Sequence, residues 1–89
     1  MPTANLTLIG KPGCHLCDDA RDVITSVVSK LADEPHAPEI ALDELSILDD
    51  AELMEQYVED IPVLLINGKV HNYWRIDPLR LRAALLEIR

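Results

Sequence analysis

Residues 6–20 read LTLIGKPGCHLCDDA, and the order of events in that stretch governs the reading of the whole chain. The LTLI run is short, apolar and flanked by turn residues. It predicts a buried strand over Asn5–Gly10, closed by Gly10 and Pro12-Gly13. A helical pattern follows at once. Leu16, Ala20, Val23, Ile24, Val27, Val28 and Leu31 fall on one face of a helix running to about Ala32. Pro35 and Pro38 end it and force a loop. Cys14 and Cys17, the chain's two cysteines, lie where the strand gives way to the helix.

That placement points to chemistry. A cysteine at a helix N-terminus faces unpaired backbone N–H groups and the positive end of the macrodipole, and both favour the thiolate. Cys17 follows one turn on, so its sulfur can reach Cys14 on the same side of the helix. Cys14 is then the attacking thiol of a disulfide exchange, and Cys17 resolves the mixed disulfide. Lys11 and a protonated His15 would stabilise the thiolate, while Asp18 and Asp19 would oppose it. Acidic residues also suit a first helical turn without further role, and His15 fits a solvent-facing modulator better than a general base. A bridge between these cysteines closes too small a loop to add much stability, so they are not expected to be a structural crosslink.

Outward from this junction the elements continue. Glu39–Ile47 keeps no strict period, and a strand is placed over its later part. Asp49 or Asp50 caps a second helix with Leu53, Met54, Tyr57 and Val58 on its apolar face. Asp60-Ile61-Pro62 leads into Val63–Ile66, a strand apolar on both faces. Asn67-Gly68 predicts a two-residue type I′ hairpin, since both positions need positive φ, and Lys69–Trp74 returns from it. Asp77 as N-cap and Pro78 at the first helical position start a last helix, with Leu81, Ala84, Leu85 and Ile88 inward. The order is β-α-β-α-β-β-α. It predicts an α/β fold, a four-stranded mixed sheet flanked by helices, with a right-handed parallel first unit. Tyr57 and Trp74 are expected to pack. His36 and His71 are expected at the surface.

The whole chain bounds these readings. Its 89 residues make one domain, 1–89, with about 64% of its surface buried on folding. Net charge is −8 and uneven. Residues 31–68 hold eleven carboxylates and no Lys or Arg, while residues 69–89 are net positive through Lys69, Arg75, Arg80, Arg82 and Arg89. The acidic middle opposes nucleic-acid binding. It reads as a solvated face, or as a docking surface for a basic partner. No apolar run approaches the ~20 residues of a membrane span, and the N-terminus does not read as a signal peptide. A monomer in the cytoplasm is expected. A metal site is not, because structural zinc wants four ligands and His15, His36 and His71 keep no ligand spacing.

LTLIGKPGCHLCDDA, together with ILDDAELMEQYVEDIPVLLINGK (47–69) and DPLRLRAALLEI (77–88), resembles the small bacterial-type glutaredoxin-like proteins of the thioredoxin superfamily. The likeness covers nearly the whole chain and implies a thioredoxin-like fold. It implies thiol–disulfide oxidoreductase activity with Cys14 attacking and Cys17 resolving. It further implies a cis-proline at Pro62 and pairing of the Ile61 main chain with substrate. Lys11 matches a lysine that can contact a glutathione carboxylate. Two departures stand out. His15-Leu16 replaces the usual Pro-Tyr, and bulky Tyr73-Trp74-Arg75-Ile76 replaces a Gly-Gly pair that helps admit glutathione. No bound cofactor is expected, and glutathione or another small thiol is a possible co-substrate. Partners would be a disulfide-containing protein or small-thiol substrate, with a reductase or small thiol as reductant. Two other classes stay open. One is a metal-handling protein holding zinc, copper or an iron–sulfur cluster through Cys14 and Cys17. The other is a non-catalytic thioredoxin-fold interaction module.

Overall fold

The computed structural model describes residues 3–88. Met1, Pro2 and Arg89, the last counted above in the basic C-terminal segment, lie outside the described residues. The elements are β1 (Thr3–Gly10), α1 (His15–Leu31), β2 (Glu39–Ser46), α2 (Ala51–Tyr57), β3 (Val63–Ile66), β4 (Lys69–Tyr73) and α3 (Pro78–Leu86). They form one mixed sheet of order β2-β1-β3-β4. β1 and β2 are parallel, while β3 is antiparallel to both β1 and β4.

The two-residue period of the central strands decides which helix covers which face. Ala4, Leu6 and Leu8 of β1, with Leu64 of β3, point to one side and meet Ala20, Ile24, Val27 and Leu31 of α1 and Leu81 and Leu85 of α3. Ile9 and Val63 point to the other side and join Ile47, with Leu53 and Tyr57 of α2 packed against them. Each fully buried leucine or isoleucine in the larger layer contributes about 1.5–3 kcal/mol of transfer free energy. The short α2 covers only the β1 C-terminal end of its face.

Local chemistry sets the ends. Asp50 caps α2 by accepting from the N–H groups of Glu52 and Leu53 at 2.9 and 3.3 Å. Asp77 does the same for α3 through Leu79 and Arg80. Asn67 and Gly68 have φ of 51° and 83° in a two-residue turn between paired Ile66 and Lys69. The Asn67 side chain also accepts from the Asn5 N–H at 2.8 Å, tying the turn to β1.

Several elements differ from the sequence expectation. β2 occupies all of Glu39–Ser46 because it pairs with β1 over its full length. Its pattern is faint because it is an edge strand: Ile40 and Leu42 are half-buried while Leu45 is exposed. Met54 is exposed and Val58 is the exposed C-cap of α2, so neither belongs to its apolar face, and Ile88 packs on the core from beyond α3. Leu16, assigned to the inner face of α1, lies at its open end and is exposed. The returning strand stops at Tyr73, and Trp74 lies just past it at φ 62°, with 54% of its surface exposed; the packing expected of it is not found.

His71, expected at the surface, is only partly exposed. The register skips it between the pairs Leu64–Asn72 and Leu65–Val70, so it is the extra residue of a β-bulge. Its Nε2 is enclosed without a hydrogen-bond partner. Burial, and then the nearby Arg80 charge, hold its pKa below the ordinary 6.5. The unfolded chain therefore takes up a proton more readily than the folded one. His71's contribution is fully present above about pH 6.5 and is lost as pH falls toward the depressed folded value. A His71→Gln variant is expected to lose less Tm than wild type between about pH 7.5 and about pH 5.5. Equal losses in both proteins would remove His71 as the source.

Candidate active site

The C-terminal end of β1 and the N-terminal end of α1 place the two sulfurs. Cys14 is the N-cap of α1, with extended φ and ψ of −96° and 116°. Its Sγ accepts the Cys17 backbone N–H at 3.3 Å, as a serine or aspartate oxygen would in a conventional cap. Both thiols are free; Cys14 is half-buried and Cys17 is buried. The outer sulfur thus sits among the unpaired N–H groups of a helix start, while the inner one is held against the sheet.

That difference in burial separates the two thiols chemically. Burial, and then a hydrogen bond with the Cys14 side chain, push the Cys17 thiol from 9.0 to about 11. The nearby Lys11 backbone N–H works against them, while the Cys14 and Asp18 charges add to the rise. At neutral pH Cys17 is therefore held as a protonated thiol.

Gly10 makes room for this sulfur. A Cβ built there would lie 2.7 Å from the Cys17 Sγ and 3.2 Å from its Cβ. The sequence marks Gly10 only as the end of a strand; its close approach to a side chain seven positions later is a tertiary fact. Gly13, by contrast, is needed for its φ of 75° in the loop before Cys14.

The other expected residues have these places. Lys11 and His15 are both exposed, on either side of Cys14 in the chain. Lys11 borders a groove of about 340 Å³ that runs between α1 and β2, with Gly10, Pro12, Cys17, Arg21 and Glu44 on its walls. Arg21 donates to Asp18 at 3.0 Å and also pairs with Glu44, bridging α1 to β2. Asp18 therefore has its own cation, a relation its place beside Cys17 did not show. These pairs are exposed and add little stability by themselves.

Ile61 and Pro62 come to the same end of the sheet by pairing. Val63 faces Ile9 across the β1–β3 ladder, so the two residues before it lie beside the β1–α1 loop. The Ile61–Pro62 bond is cis. Pro62 is buried, and its carbonyl accepts the Trp74 N–H at 2.7 Å. Among the described residues, none donates to or accepts from the Ile61 main chain. Trp74 and its neighbour Arg75 line a second pocket, of about 180 Å³, with Leu16 and Ile76. A left-handed conformation costs a side-chain-bearing residue about 1–2 kcal/mol, which makes Trp74 the one bulky outlier of the site. Among the described residues, no three His, Cys, Asp or Glu side chains group so as to hold a metal ion.

A mixed α/β sheet with a Cys-x-x-Cys at its first strand–helix junction defines a thioredoxin-like architecture. The chain belongs to the glutaredoxin-like domain family, Glutaredoxin-like domain (DUF836), whose model matches residues 5–86. It is similar to the structural-genomics protein XcR50 of X. campestris, with 32% identity, 90% of this chain and 93% of that one covered, and a TM-score of 0.68. Oxidised mitochondrial thioredoxin 3 of Saccharomyces cerevisiae shares the fold, with a TM-score of 0.60 at 11% identity over 92% of this chain and 76% of that one. Uncharacterized protein Rv0508 of Mycobacterium tuberculosis is 26% identical over 83 residues, covering 93% of this chain and 84% of that protein. Among the described residues, no helix is long and apolar enough to cross a membrane.

Proposed function

We propose that residues 1–89 form one domain acting as a thiol–disulfide oxidoreductase, with Cys14 as nucleophile and Cys17 as resolving thiol. The observation that carries this reading is the asymmetry of the pair. One sulfur is partly open at a helix N-terminus, and the other is buried one turn below it, its residue's N–H bonded to the first.

The Cys14 thiolate attacks one sulfur of a substrate disulfide. A Cys14–substrate disulfide forms, the substrate S–S bond breaks, and the departing thiolate takes up a proton. Cys17 then loses its proton and attacks the Cys14 sulfur. The Cys14–Cys17 disulfide forms, and the substrate leaves as its second thiol, so two electrons and two protons have passed to it. The timing follows from the causes of the Cys17 shift. Once Cys14 is in a mixed disulfide, its hydrogen bond and charge no longer raise the Cys17 pKa, while burial, the largest cause, stays. Cys17 becomes easier to ionise at the step that needs its thiolate.

The open Ile61 main chain is suited to pairing with an extended substrate segment, with Pro62 beneath it. Lys11 supplies positive charge at the rim, and His15 stands exposed on the other side of Cys14. A disulfide-containing protein or a small-thiol disulfide is the substrate, and a reductase or a small thiol such as glutathione returns the electrons. The reducing cytoplasm suits a free dithiol, and the protein acts as a monomer.

The test is alkylation of both thiols across a series of defined redox buffers, read by mass. One two-electron transition joining Cys14 to Cys17 is expected. Two thiols that stay free throughout, or that a chelator must unmask, would overturn the dithiol mechanism.

A further inference from the structure

We propose that Trp74 is the specificity residue of this site, forming with Leu16 and Ile76 a seat for one bulky apolar side chain beside the reactive cysteine of a polypeptide substrate. The inference rests on the oxidoreductase reading and adds a substrate class to it.

Trp74 is the chain's single tryptophan and stands at φ 62°, a conformation that glycine adopts without strain. Strain of this kind persists where the surroundings hold it. Two hydrogen bonds do so here: the backbone N–H to the Pro62 carbonyl at 2.7 Å, and the indole N–H to the Glu59 carbonyl at 3.3 Å. Core packing does not explain the conformation, because more than half of the residue is exposed. The strained backbone instead sets an aromatic ring at the end of the sheet where the Ile61 main chain is free.

The pocket beside the ring defines the occupant. Its walls are Leu16, Ala20, Val23, Trp74 and Ile76, with Asp19 and Arg75 supplying one charge of each sign. The two charges give no net preference for a cation or an anion, so apolar contact decides what enters. A volume of about 180 Å³ is below the ~300 Å³ at which small-molecule sites begin. It fits a single large side chain. Leu16 is in the first turn of the helix that Cys14 caps, and Trp74 is bonded to Pro62, so the seat lies at the end of the domain that carries Cys14, where a residue flanking a substrate cysteine can reach it.

The test uses two peptides of equal length bearing an S-methylcysteine flanked by leucine or by glycine. They are titrated against the full chain carrying Cys14→Ser and Cys17→Ser, with Trp74 emission and calorimetry as readouts. The leucine peptide is expected to bind about tenfold more tightly and to shift the Trp74 emission to the blue. Adding Trp74→Gly to this chain should cut the preference below about twofold without lowering Tm, while Trp74→Phe keeps most of it. No preference in the first protein, or one that survives Trp74→Gly, would overturn the proposal. In parallel, the dithiol protein is assayed on the corresponding disulfide peptides. Binding preference without turnover would sink the oxidoreductase reading and leave the seat standing. Turnover without preference would do the reverse.

Discussion

Cys17→Ser is expected to stop the protein at a mixed disulfide. Cys14 can still attack, but a hydroxyl cannot displace the substrate sulfur, so a covalent Cys14 adduct accumulates and is released by added thiol. Cys14→Ser should give no adduct and lower exchange by about 10³-fold or more, since a serine in its place is neither ionised nor nucleophilic near neutral pH. Mass spectrometry after one exposure to a disulfide peptide separates the two variants. Stability is not the confounder. Serine is nearly isosteric with cysteine, so the Tm of Cys17→Ser should stay within a few degrees of wild type. Equal loss of exchange in both variants with no trapped adduct would remove the division of roles.

Gly10→Ala should be nearly as disruptive, through a residue with no reactive group. The new Cβ would press on the Cys17 sulfur at 2.7 Å and on its Cβ at 3.2 Å. Either the sulfur leaves its position beside Cys14 or the β1–α1 junction opens. Overpacking of this kind costs about 1–3 kcal/mol, which in a domain of this size lowers Tm by roughly 4–8 °C per kcal/mol. Closure of the Cys14–Cys17 disulfide should slow at least about tenfold, because it needs the two sulfurs aligned. A double-mutant cycle identifies the cause. In a Cys17→Ala background the closest atom is gone, so Gly10→Ala should cost about 1 kcal/mol less than in wild type. An unchanged cost would place the strain elsewhere than against Cys17.

Both expectations concern the same few ångströms, yet their origins differ. The place of Cys17 beside Cys14 was legible in the chain, because a cysteine pair one turn apart at a helix start has its geometry set by the helix. Gly10 was legible only as a strand end. Nothing local says that a sulfur seven residues on will be folded back against it. The Arg21 bridge was equally silent, since Glu44 is brought to Asp18 and Arg21 only by parallel pairing of β2 with β1.

His71 and Trp74 show why expectations about single residues failed where those about elements held. A strand residue defaults to the surface on an exposed edge, but a bulge shifts His71 out of register and encloses its Nε2. A tryptophan defaults to packing because of its area, yet Trp74 must turn the chain from β4 into α3 while bonded to Pro62 and Glu59. In each case a contact distant in sequence outweighs a local preference.

By itself the sequence determined what short-range physics controls. It set the helix faces by their 3.6-residue period, the Asn67-Gly68 hairpin by its need for two positive φ values, and the Asp77-Pro78 helix start by its cap. It also determined the seat of the Cys14–Cys17 pair at a strand–helix turn. Tertiary structure alone decided the full length of β2, the burial that parts the two thiols, the space at Gly10 and the exposed stance of Trp74. Those properties depend on which atoms arrive from distant segments, and desolvation and close contact exist only once the sheet and helices have come together.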